Sequence, residues 1–163
     1  MKPLFVLLGV FVLSLLSNKV FFRQFRFSLS GRIAMAVMLL FTAMGHFVFV
    51  EGMAMMLPDL IPYKRQVVCL TGFVEVGAAI GLLMPKLSRI TAYCLMVFFV
   101  LVLPANIYAA VNHIDYEKGT YDGSGLPYLW FRVPLQLFFM LWVYLSALKS
   151  LSKAALDEQK YTL

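Results

Sequence analysis

Five long runs of apolar side chains dominate this sequence, at about Pro3–Phe22, Arg32–Leu57, Gln66–Met84, Ile90–Val111 and Leu129–Leu148. Crossing the hydrocarbon core of a bilayer takes about 20 residues of helix at ~1.5 Å rise per residue. Each run approaches or exceeds that length. Hydrophobic residues make up 62% of the 163 residues and charged ones 13%. A soluble domain holds roughly 45–50% and about 25%. A chain this short has too much surface for its volume to hide such a surplus from water. A water-soluble monomer and a disordered chain are both excluded, and an all-α integral membrane bundle of five spans is expected.

The punctuation between runs agrees. Pro58 and Pro62 end the second run and Pro85 ends the third, because proline lacks the amide that continues a helix. The polar stretch from Asn112 to Pro127 collects Asp115, Glu117, Gly119, Asp122, Gly123 and Gly125, which favour turns and surfaces. The first run is the weakest, since Ser17, Asn18 and Lys19 interrupt it. It crosses the bilayer if Lys19 reaches back to the headgroups. Its exit lacks a small-residue cleavage site, so a retained helix is expected rather than a signal peptide. The chain then divides into an N-terminal helix with its basic connection (1–30), a four-helix membrane domain (31–150) and a tail (151–163).

The net charge of +6 is a matter of loops. One side receives Lys19, Arg23, Arg26, Arg32, Lys86, Arg89, Lys149, Lys153 and Lys160. The other receives Lys2, Lys64, Arg65 and Lys118, with Arg132 close by inside a span. By the positive-inside rule the N-terminus is external and the C-terminus cytoplasmic. Tyr128 and Trp130 then fall at an external aromatic belt. No nucleic-acid-binding motif accompanies the basic charge. Cys69 and Cys94 form no C-x-x-C pair, and no metal ligand set is expected.

Polar groups within the spans are where chemistry is sought, because a charge at the bilayer centre costs at least ~2.5–3.5 kcal/mol. His46 lies near the middle of the second run, and Glu51 is about 7–8 Å nearer the outer face by helical rise. Glu75 lies at mid-depth of the third run. Asn106, Arg132 and Gln136 lie in the outer halves of the fourth and fifth. A polar pocket opening outwards is expected from these groups. Thr71 and Glu75 share a helix face, as do Arg132 and Gln136. Gly77 and Gly81 form a G-x-x-x-G step suited to close packing. Each residue also has a plainer reading. His46 serves a site or a helix–helix hydrogen bond, and Arg132 anchors the helix or pairs with Glu51 or Glu75. Asn106 lines the pocket or caps carbonyls freed by Pro104.

Several short strings, taken in order, resemble the DoxX family of small bacterial membrane proteins. They are Gly45-His46-Phe47, Met56-Leu57-Pro58, Thr71-Gly72 with Glu75, Leu103 to Tyr108, and Trp130 with Arg132, Pro134 and Gln136. The resemblance covers about Gly31 to Leu148. It implies a four-helix core, to which this chain adds one N-terminal helix, and a place in the bacterial cytoplasmic (inner) membrane. It further implies a subunit without its own redox centre, associated with a quinone-linked redox complex. Glu75 and His46 would then move protons, while Asn106, Arg132, Gln136 and Glu51 would bind the ligand. The alternative is a structural or assembly subunit of a larger membrane complex.

Overall fold

The computed structural model describes residues 2–23 and 25–149, so the expected tail at 151–163 lies outside the described residues. Six α-helices follow in order: α1 (Lys2–Phe22), α2 (Phe27–Val48), α3 (Val50–Met55), α4 (Lys64–Leu83), α5 (Ser88–Val111) and α6 (Pro127–Val143). A π-helical segment, Tyr144–Lys149, continues α6. The described residues hold no strand, only an isolated bridge between Asp115 and Thr120. Five of the helices are long and apolar enough to cross a membrane, and the chain is an all-α, multi-pass membrane bundle.

The helices alternate in direction, which gives the bundle two unlike ends. Glu51, Asp59, Asp115, Glu117 and Asp122 gather at one, here the acidic end. Lys2 at the start of α1 joins them through an ion pair with Glu117 at 2.9 Å. The other, basic end carries Arg23, Arg26, the 84–87 connection and the π-helical segment.

In lipid, side-by-side helices gain little from the hydrophobic effect, since the tails are as apolar as leucine. Association rests on close packing instead. Met35, Met38 and Leu39 of α2 meet Leu82, Leu95 and Val143 from three other helices, all almost fully buried. Leu7 is the buried anchor of α1. The perimeter is correspondingly apolar: Phe73, Ile90 and Leu101 are 64–70% exposed. The polar interruption in the first run does not break α1. Asn18 is buried and donates to Ser30 Oγ on α2 at 3.0 Å and to the Ser14 carbonyl at 2.9 Å.

Three details depart from the sequence reading. The second run is bent at Phe49 (φ −110°, ψ 35°), which separates α2 from α3. Gly52 of α3 lies directly against the Tyr116 backbone, where a side chain would have no room. Hydropathy runs unbroken through this bend and so does not register it. The G-x-x-x-G step also dissolves. Gly81 is buried under Thr91 of α5, whereas Gly77 faces open space on the perimeter. A stricter glycine contact lies at the basic end. A Cβ on Gly31 would stand 2.7 Å from Ser146 Cβ. There Trp142 Nε1 donates to the Gly31 carbonyl at 3.0 Å, and the Ser28 hydroxyl donates to the Ser146 carbonyl at 2.7 Å.

Replacing Gly31 with Leu should therefore overpack the α2–α6 crossing and destabilise the bundle by about 1–3 kcal/mol. Gly77→Leu should leave stability near that of the parent. Thermal denaturation of both variants in mild detergent measures the difference.

Candidate functional site

The residues singled out from the sequence separate into two networks and an outlying pair. The first joins α2 and α4. His46 stands in the last turn of α2, and Thr71 and Glu75 are one turn apart on α4, facing it. Gly72 lets the helices meet here, because a Cβ at that position would lie 3.0 Å from His46 Cβ and from the Phe47 ring. His46 Nδ1 lies 3.1 Å from Thr71 Oγ1, and that hydroxyl donates to the Val68 carbonyl at 2.7 Å. A hydroxyl carries one proton. With it committed to Val68, Thr71 Oγ1 accepts from Nδ1–H, which assigns a proton to Nδ1. The other ring nitrogen, Nε2, faces Glu75 Oε1 at 3.6 Å. Glu75 is 6% exposed, and its Oε2 is buried without a hydrogen-bond partner.

A proton taken up between Nε2 and the carboxyl group would have two places to sit. On Nε2 it makes an imidazolium–carboxylate pair, and on the carboxyl it makes two neutral groups. Both forms have zero net charge, so the proton changes sides without leaving a bare charge in the bundle. A buried carboxylate with no counter-charge would cost several kcal/mol. The distance is longer than a hydrogen bond.

The second network joins α5 and α6. Arg132 Nε donates to Asn106 Oδ1 at 3.1 Å, and Nη1 donates to the Tyr128 hydroxyl at 2.8 Å. Asn106 is 3% exposed. It therefore holds a guanidinium and not the carbonyls near Pro104. Gln136, one turn along α6 from Arg132, does reach that region and donates to the Phe99 carbonyl. Phe99 adjoins Val100, whose carbonyl loses its helical donor to Pro104. Gln136 Oε1 is buried and unpartnered.

Glu51 belongs to neither network. The bend at Phe49 carries it to the acidic end, where it pairs with Arg65 at 2.8 Å. Arg132 therefore pairs with neither Glu51 nor Glu75. Among the described residues no hydrogen bond or ion pair joins the His46–Glu75 network to the Asn106–Arg132 network. The expected single pocket is not formed by contact between these groups, and of them Glu51 alone lines the two recesses at the acidic end.

Thr71 and Tyr128 have larger parts than the sequence suggested. Each stands four residues before a key group, Glu75 and Arg132, and that spacing is the signal for a shared face. Tyr116 in the 112–126 loop leaves no such trace. Its phenol is pushed up to about 12, by burial first and by Tyr128 second, with Arg132 acting in the opposite direction.

Two expectations follow. Asn106→Leu removes the acceptor of Arg132 Nε and should cost about 1–3 kcal/mol, whereas Asn106→Asp keeps an acceptor and should cost less. Melting of the two variants in detergent separates them. Because the Tyr116 phenol is raised, the stability tied to its protonated form is complete below about 10. It is lost as pH climbs through about 12. In an ultraviolet titration of the eight tyrosines, Tyr116→Phe should remove a late step.

Residues 35–147, from the buried face of α2 to the end of the bundle, match the family described as Domain of unknown function (DUF8561). No curated protein and no solved structure matches the chain. The matched region holds both polar networks and covers well over half of the sequence, and on that ground the protein belongs to the DUF8561 family.

Proposed function

We propose that this protein is a DoxX-like subunit of the bacterial cytoplasmic membrane, associated with a quinone-linked redox complex, and that His46 and Glu75 carry its protons. One observation supports the reading above others: the imidazole of His46 and the buried carboxyl of Glu75 face each other at 3.6 Å, with Thr71 engaging the far ring nitrogen. Such a pair suits uptake and release of a proton within an apolar bundle. Thr71 orients the imidazole and sets which nitrogen faces the carboxyl. Arg132, held by Asn106 and Tyr128, presents its remaining N–H groups as donors.

Quinone enters through the DoxX resemblance. When bound, it would supply two-electron chemistry, with electrons delivered by a partner. Glu75 Oε2 and Gln136 Oε1 are unpartnered acceptors, but neither residue lines a recess at the acidic end, so neither is assigned a contact with a quinone. The remaining work assigned to this chain is orientation and proton movement between Glu75 Oε1 and His46 Nε2.

An assembly role is the second reading. It is favoured by Arg132, Asn106, Tyr128 and Gln136, which spend hydrogen bonds on joining α5 to α6. Glu75→Gln separates the two. It keeps size and polarity but takes up no proton, so a proton-coupled partner activity should fall about a hundredfold or more while assembly persists. Unchanged quinone binding and partner activity in both Glu75→Gln and Arg132→Gln, with normal assembly, would leave the assembly role standing.

The orientation belongs to the same proposal, with the N-terminus and the acidic end outside. It rests on the excess of Lys and Arg at the opposite end. Reporter fusions at Gly123 and Lys86 should read external and cytoplasmic, respectively, and the reverse pattern would overturn it.

A further inference from the structure

Two recesses at the acidic end share Glu51, Arg65 and Gln66 as lining, and so form one track. The polar arm, about 420 Å³, lies among Asp59, Lys64 and the rings of Tyr63, Tyr108 and Tyr121. The other arm, about 660 Å³, follows α4 past Cys69, Leu70 and Phe73. Gln66, Cys69, Leu70 and Phe73 recur at the spacing of a single helical face. From Arg65 to Phe73 the helix descends about 12 Å at ~1.5 Å per residue. Leu70 and Phe73 are both more than 60% exposed, on the perimeter that faces lipid. The track is thus polar at the end of the bundle and apolar within the belt.

Its charges are balanced and close together. Arg65 meets Glu51 at 2.8 Å, and Lys64 meets Asp59 at 2.6 Å. The Lys64 ammonium holds the Asp59 carboxyl below the usual carboxylate range. An anionic headgroup would satisfy the two cations and be repelled by the two carboxylates. An uncharged ligand could hydrogen-bond to these groups but would offer no charge to match either sign. A headgroup with one phosphate and one ammonium matches both signs, and tyrosine faces beside it attract an ammonium. A primary ammonium also donates hydrogen bonds to carboxylates. We propose that this track is a binding site for one zwitterionic phospholipid, phosphatidylethanolamine. Lys64 and Arg65 take its phosphate, Glu51 and Asp59 its ammonium, and Leu70 and Phe73 line one acyl chain. The proposal is independent of the His46–Glu75 reading.

The test uses the full chain, purified in mild detergent and offered equimolar phosphatidylethanolamine and phosphatidylglycerol. Native mass spectrometry then reads the retained lipid. Phosphatidylethanolamine should be retained at least tenfold over phosphatidylglycerol. Glu51→Gln with Arg65→Gln removes one charged contact to the phosphate and one to the ammonium, and Leu70→Trp fills the apolar arm. Each should lower retention about tenfold or more with an unchanged circular dichroism spectrum and elution volume, because these side chains are exposed. Equal retention of the two lipids would overturn the site. So would preference for phosphatidylglycerol, displacement by a quinone or a second copy of the chain, or retention unaffected by either variant.

Discussion

The hydrocarbon core of a bilayer offers no hydrogen bonds, so polar side chains within the spans depend on one another. That constraint organises the interior of this bundle. Asn18 and Ser30 close a seam between α1 and α2. His46, Thr71 and Glu75 join α2 to α4, and Asn106, Arg132 and Gln136 join α5 to α6. These contacts select which helix faces turn inwards, and apolar packing fills the space between them. Among the described residues Arg32 Nε, Glu75 Oε2 and Gln136 Oε1 are the exceptions, buried and unpartnered. Such atoms are worth following toward function, because a merely structural network gains by closing them.

Close approach decides where these networks form. Gly72 removes the side chain that would hold α4 away from His46, and Gly81 does the same for α4 under Thr91. Gly31 permits α2 to meet the π-helical segment, where Trp142 and Ser28 lock the crossing. Gly52 seats α3 against the Tyr116 backbone and leaves Glu51 to pair with Arg65. Thus the bend at Phe49 divides two polar residues of one hydrophobic run, His46 and Glu51, between different tasks. His46 faces Glu75 between α2 and α4, and Glu51 lies at the rim with an arginine.

The two ends of the molecule differ for electrostatic reasons. At the acidic end, paired charges and tyrosines surround a track that passes into the apolar belt. Those exposed pairs contribute little to stability, roughly 0–1 kcal/mol each. They are therefore free to exchange one another for a headgroup. The buried pair between α2 and α4 has no such freedom. A change in its partner would strand a charge or an unsatisfied atom.

Composition and hydropathy alone determined that the chain crosses a membrane as helices, and where most of those helices begin and end. Apolar length is a local property, and lipid imposes the same helical solution on every such run. The depth of Glu75 and the shared faces of Thr71 with Glu75 and of Arg132 with Gln136 were legible for the same reason, since helical phase follows from spacing. Tertiary structure decided the partners. Nothing local distinguishes Gly81, which is buried, from Gly77, which is not. Nor does hydropathy reveal the bend at Phe49, which depends on Tyr116, distant in sequence, lying against Gly52. Arg132 chose Asn106 and Tyr128 over a carboxylate because the bundle brings α5 against α6 at that depth, while Glu51 and Glu75 are engaged elsewhere. Pairing is a property of the packed bundle and not of any single span.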